Sequence, residues 1–192
     1  MKFNPEYVGI YQHFFNSVVE FRKVFGLPIA TRMMPHEDDN HTALLVEELT
    51  ELATAKTKVA QADAVVDSIY VHMGRLVQMN LFDPVQHSWA AYPIKILIEV
   101  SDRLGLPLVE IFDEVHQSNM SKVANNEEEL KQSVDVLTSK GYEVTTSKIQ
   151  HQNREYYVIK AAKDSDTLGI KAGKVLKSVG FREPDIKKLL VK

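Results

Sequence analysis

The 192-residue chain contains no cysteine, one tryptophan, seven prolines and eight glycines. Without cysteine there is no disulfide framework, no thiolate metal site and no thiol nucleophile, so any bound metal must sit on oxygen or imidazole. No apolar run approaches the roughly 18 residues a membrane helix needs. The start, Met1 to Pro5, has no apolar signal core behind its charge. A net charge of −3 gives no basic field for coating nucleic acid. There is no G-x-x-x-x-G-K-[ST] phosphate loop, no G-x-S-x-G elbow around Ser17, Ser68 or Ser88, and no H-x-x-x-H spacing among the seven histidines. These absences exclude P-loop, serine-hydrolase and zinc-type chemistry. The expectation is a soluble cytoplasmic protein with no membrane segment and no stable nucleic-acid complex.

What is present is helical periodicity. Phe3 to Phe25 carries Val18, Phe21 and Phe25 on one side, and Gly26 with Pro28 ends it. Thr31 to Asn40, polar and broken by Pro35, reads as a loop. Thr42 to Lys58 reads as a helix with Leu45, Leu49 and Leu52 as its buried stripe. Ala60 to Met79 is another helix, and Asn80 to Pro93 reads as a connection. Ile94 to Leu104 and a helix from Pro107 to about Lys122 follow. Beyond Asn125 the grammar changes: Glu127 to Ser139 is helical, Tyr142–Ile149 and Glu155–Ala161 read as a hairpin, and a short helix follows Pro184. The fold class is therefore mainly α, a helical bundle core with a small helix-plus-hairpin insertion near the C-terminus. The expected divisions are 1–124 for the core, 125–162 for the appendage and 163–192 for a tail returning to the core.

At about 100° per residue, Glu47, Glu48 and Glu51 fall within one arc. Asp63 and Asp67, four apart, share a face of the next helix with Tyr70 beside them. None of the five carboxylates has a basic residue three or four positions away. A solvated helical face usually mixes signs, because like-charge pairs at this spacing cost stability. Two such faces, brought together by antiparallel helices, want a cation between them. Hard oxygen donors on a rigid scaffold suit Mg²⁺, or Mn²⁺ in its place. His116, Asn119 and Lys122 recur every three residues, so they too share a helical face. An amide can read a base edge and an ammonium can neutralise a phosphate. Trp89 and Tyr92 could stack on a base, but packing or a subunit interface is the stronger reading. From Lys160 onward the basic residues outnumber the acidic ones; that excess could steer a polyanion, though a plain solvated surface accounts for it as well.

The E-E-x-x-E pattern at Glu47, Glu48 and Glu51, followed by Asp63 to Tyr70 (DAVVDSIY), resembles the MazG-like pyrophosphohydrolases and their phosphoribosyl-ATP pyrophosphohydrolase relatives. So do Val18 to Ala30 (VVEFRKVFGLPIA), Phe112 to Lys122 (FDEVHQSNMSK) and Gly173 to Leu190. The resemblance implies an all-helical fold acting as a homodimer or dimer of dimers, with Mg²⁺ on the acidic helices. It implies Glu48, Glu51 and Asp67 as metal ligands and Glu47 as the carboxylate that binds a further ion or activates water. Asn119 then contacts base or sugar and Lys122 a phosphate, with His116 and Tyr70 assigned to the same substrate. Many members carry E-x-x-D in the second helix, where this chain has Ala64; Asp63 stands one position earlier, as in relatives with D-x-x-x-D.

The implied activity is (d)NTP plus water to (d)NMP plus pyrophosphate. The alternatives are a phosphoribosyl-ATP pyrophosphohydrolase, or a catalytically weak nucleotide- or partner-binding protein of the same fold.

Overall fold

The computed structural model describes residues 3–191, which form two compact units, one holding residues up to Arg22, Pro28–His116 and Pro184 onward, the other Lys23–Leu27 and Gln117–Glu183. Mainly helical architecture with one small hairpin is what the described residues show. None of their helices is long and apolar enough to cross a membrane.

The first unit is built on five helices, α1 (Val8–Val24), α2 (Pro35–Thr54), α3 (Lys58–Gln78), α4 (Ser88–Leu104) and most of α5 (Leu108–Met120), and it includes the short α7 (Ile186–Leu190). Its centre is α3, thirteen of whose residues are buried. Tyr11, Phe14, Ile69, Met73, Ile94, Ile111 and Phe112 close around it with no solvent contact beyond a trace. Phe14 and Phe112 stack with centroids 4.0 Å apart, and Tyr70 stacks on the other side of Phe112 at 5.5 Å. Gly74 allows a close approach, because a Cβ there would meet Arg22 Nη1 at 3.4 Å and His41 Cε1 at 3.6 Å. The buried Arg22 guanidinium lies at that point, donating to Gln78 Oε1 (2.9 Å) and to the Pro28 carbonyl (2.6 Å).

Two boundaries and one burial pattern differ from the expectation. Residues 35–40 are not loop but the first turn of α2. Pro35 sits at the first helical position, where a missing N–H costs nothing, and Glu37 Oε2 accepts from the Met34 N–H at 2.8 Å. Likewise α4 begins at Ser88, five residues before Pro93. Pro93 forgoes a single helical hydrogen bond near the N-terminus, so it bends the pattern without ending it. The stripe expected on α2 is not buried. Leu45 and Leu52 are half-buried, Leu49 is 42% exposed, and α2 has no buried residue at all. At the far end of α4, Gly105 takes the left-handed conformation (φ 60°), and Leu106 N–H reaches back to the Ser101 carbonyl at 3.1 Å.

The second unit contains α6 (Glu127–Ser139) and the antiparallel strands β1 (Val144–His151) and β2 (Arg154–Ala161). Asn126 caps α6 by accepting from the Glu129 N–H at 2.8 Å. Gln152 and Asn153, both at positive φ, form the two-residue turn that sets the register Val144↔Ala161 to His151↔Arg154. Residues beyond the hairpin pack along β2: Leu176 N–H bonds to the Ile159 carbonyl and Ala161 N–H to that of Lys174, both at 2.9 Å. Leu137, Ile159, Ala161, Ile170 and Leu176 form this unit's own small core.

Candidate active site

α2 and α3 are joined by only Ala55 to Thr57, and the Thr57 hydroxyl caps α3 by accepting from the Ala60 N–H at 3.1 Å. Helices joined so tightly must run antiparallel. The contacts bear this out: Asp38, early in α2, forms an ion pair with Arg75, late in α3. Further along, Glu48 feels the charge of Asp67. Position numbers rise along one helix as they fall along the other, which brings the two acidic faces together.

Glu48 shows how closely they meet. Burial pushes its carboxyl from the ordinary 4.5 up to about 7, and the charges of Asp67, Glu51, Glu47 and Asp63 push in the same direction. All five sequence-selected carboxylates thus act on one point. Glu47 and Glu51 are exposed, whereas Glu48, Asp63 and Asp67 are half-buried. Ala64, where many relatives of the resembled family carry Glu, is buried at 2% exposure, so that position faces the apolar interior. Asp63, one residue earlier, is the group that adds its charge to the cluster. Among the described residues no three carboxylate or imidazole groups already close on one point as ligands. The donor chemistry nonetheless fits a hard divalent cation that keeps several of its waters: carboxylate oxygens only, with four of the charges acting on Glu48.

The other selected residues fall elsewhere. Tyr70 and His116 are buried, at 8% and 5% exposure, and the Tyr70 hydroxyl lies 3.0 Å from His116 Nδ1. The opposite ring nitrogen of His116 is 3.4 Å from Glu20 Oε2. Burial holds the His116 pKa below its usual value, partly offset by the hydrogen bond to Glu20. Asn119 and Lys122 belong to the second unit, where Lys122 Nζ donates to Asn119 Oδ1 at 2.5 Å. The sequence reading passed over Arg22, Gln78, Asp38 and Arg75, which fix α3 to its neighbours. Arg75 and Gln78 stand out as polar residues within the apolar run of α3, whereas Asp38 lies in a polar run that gives no such signal. A cleft of about 720 Å³ opens beside the Asp38–Arg75 pair, lined also by Arg32, Met34, Leu76 and Trp89. Trp89 is 72% exposed there.

Residues 18–89 match the family described as phosphoribosyl-ATP pyrophosphohydrolase, a stretch that holds the whole of α2 and α3 with all five carboxylates. This segment is therefore similar to the phosphoribosyl-ATP pyrophosphohydrolase family. The Phe112–Lys122 and Gly173–Leu190 blocks lie outside the matched stretch. An uncharacterized protein of Acanthamoeba polyphaga mimivirus is 30% identical over 118 residues, 60% of this chain and 43% of the relative. The chain thus spans under half the length of that relative. No solved structure matches it.

Proposed function

We propose that the protein is a metal-dependent nucleoside triphosphate pyrophosphohydrolase, converting a (d)NTP and water to (d)NMP and pyrophosphate. The observation that carries this is the antiparallel α2–α3 pair, which places Glu48 within the charge of Asp67, Glu51, Glu47 and Asp63. Glu48, Glu51 and Asp67, with Asp63, would hold Mg²⁺ or Mn²⁺, which supplies charge neutralisation for the triphosphate and a more acidic water. Glu47, exposed beside these ligands, accepts the proton of the water that attacks the α-phosphorus, and pyrophosphate leaves. Lys122 and Asn119 are assigned to phosphate and to base or sugar.

A second reading, hydrolysis of phosphoribosyl-ATP, is favoured by the description of the matching family. One panel separates them: NTPs, dNTPs and phosphoribosyl-ATP with Mg²⁺ or Mn²⁺, products identified by mass. Monophosphate and pyrophosphate, abolished by EDTA, support the proposal. Diphosphate with orthophosphate overturns it, and turnover of phosphoribosyl-ATP alone selects the second reading. Turnover of no nucleotide at all would leave a binding protein of this fold.

The exposed side of α2 supports a homodimer in the same proposal. Leu44, Val46 and Leu49 are 43%, 57% and 42% exposed on a helix with no buried residue. Apolar surface of this kind on a site-bearing helix is suited to a second copy. Light scattering at micromolar concentration is expected to give twice 21.8 kDa, and Val46→Asp to shift it toward that monomer mass. A wild-type chain that scatters only as a 21.8 kDa species would defeat the dimer.

The raised Glu48 pKa makes a signed prediction. Its folded value lies above its unfolded one, so the protonated carboxyl stabilises the fold fully below 4.5, and that contribution is lost as pH rises through about 7. His41, His72 and His116, held neutral chiefly by burial, work oppositely and lose stability as pH falls. The clean comparison is therefore Glu48→Gln against wild type in EDTA. At pH 5 the two should melt together. At pH 8 the variant should be more stable by about 1–2 kcal/mol, after discounting for partial exposure. Calorimetry that shows no pH-dependent gap would contradict the clustering.

A further inference from the structure

The second unit holds a cavity of about 470 Å³ that nothing above explains. Four lysines line it, Lys122, Lys140, Lys174 and Lys177, and no carboxylate does. They arrive from four separate places: the end of α5, the end of α6, and two positions along the segment that packs on β2. Lys122 and Lys177 are already steadied. The first donates to Asn119, and the second lies 2.9 Å from Glu183 Oε1 and 4.0 Å above the Phe181 ring. Lys140 and Lys174 are exposed and make no ion pair among the described residues. Elsewhere in this unit Lys163 pairs with Glu143, Lys171 with Asp164 and Lys148 with Glu155. Four lysines around a concavity whose lining holds no carboxylate, Lys177 among them paired with Glu183, make a focused positive field, which draws a multiply charged anion. The floor is apolar, formed by Leu137, Ile170 and Leu176 of the unit's core, so a bound group would lose water on one side and meet ammonium groups on the other.

We propose that this cavity is a binding site for a phosphate-chain anion, held by Lys140, Lys174 and Lys177 with Lys122 beside them. Lys122 alone was assigned to phosphate by resemblance; the other three extend the site into the appended α+β segment. The proposal stands apart from the carboxylate chemistry of α2 and α3, because it concerns binding in the absence of metal. Lysine ammonium groups bind phosphate as point charges and need no fixed geometry, which suits a chain able to slide among four of them.

The test is titration calorimetry on the full chain in EDTA, which leaves the carboxylate cluster without its cation. Inorganic tripolyphosphate should bind saturably to wild type. Binding should weaken about tenfold or more in K140E/K174E, the loss expected for two charge-assisted contacts. It should be unchanged in K163E/K171E, whose lysines lie outside the cavity. K140Q/K174Q, with a thermal melt matching wild type, separates lost contacts from lost folding. ATP in a second arm names the source: tighter than tripolyphosphate points to a nucleotide resting on the apolar floor, equal or weaker to a bare phosphate chain. No saturable binding in wild type overturns the proposal. So does equal weakening in both charge-reversed pairs, which would show only a diffuse basic surface.

Discussion

Replacing Glu48, Glu51 or Asp67 by Ala is expected to lower pyrophosphate release by a factor on the order of a thousand, with loss of Mn²⁺ binding in each variant. The same variants should melt no lower than wild type in EDTA. Burial raises the Glu48 pKa to about 7, and the charges of Asp67, Glu51, Glu47 and Asp63 add to the effect. Removing one relieves that repulsion without opening a hole, since α2 has no buried residue and Asp67 on α3 is itself only half-buried. That combination, dead yet stable, distinguishes a ligand from a packing residue. Glu47→Gln should behave differently, binding Mn²⁺ while turnover falls about a hundredfold or more, because the proton acceptor and not the ligand is lost. Metal binding read by Mn²⁺ paramagnetic resonance and rates read by pyrophosphate release give the two axes. A variant of Glu48, Glu51 or Asp67 whose metal-free form unfolds far below wild type would mark that residue as structural.

The opposite pattern is expected at Phe112. Its ring is fully buried, stacked on Phe14 at 4.0 Å and on Tyr70 at 5.5 Å. Phe112→Ala removes both stacking partners' support and leaves a cavity that α1, α3 and α5 cannot fill. The cost should be about 3–5 kcal/mol, a fall in Tm of roughly 6–20 °C for a chain of this size. Phe112→Leu keeps most of the volume and should lose less than half as much. Thermal unfolding in EDTA, where metal cannot offset the loss, measures it. A Phe112→Ala protein that melts within a degree or two of wild type would mean the three aromatic rings do not form a single packed unit.

These two sites also mark what could be read in advance. Like charges spaced four apart, with no basic neighbour, were visible without coordinates, because spacing on a helix is fixed by its pitch. The α6 bounds, Glu127–Ser139, were equally legible, with the glycine at 141 as the stop. Prolines misled twice. Pro35 and Pro93 look like interruptions on a one-dimensional reading. Yet Pro35 takes the first helical position, where its missing N–H costs nothing, and Pro93 lies inside α4 at the cost of one helical hydrogen bond. The Leu45, Leu49 and Leu52 stripe misled for another reason. Periodicity says which residues share a face, not what that face meets, and α2 meets α3 with its acids as well as its leucines. His116 shared its helical face with Asn119 and Lys122 on spacing alone. Its burial against Tyr70 depends on α3 being alongside, which no local pattern encodes. The Gln152–Asn153 turn, with both residues at positive φ, displaced both strands by up to two residues from their expected starts.

A helix that buries nothing is also a helix that little prevents from opening. α2 is tied at one end by the Asp38–Arg75 pair and at the other by the three-residue link to α3, while its middle carries mutually repelling carboxylates. Local opening free energies are set by just such contacts. In the metal-free monomer, backbone amides of α2 should therefore exchange with deuterated water well before those of α3, although the two helices have nearly equal length. A bound divalent ion and a second copy of the chain would each slow that exchange. Catalytic assembly and subunit assembly would then draw on one folding event.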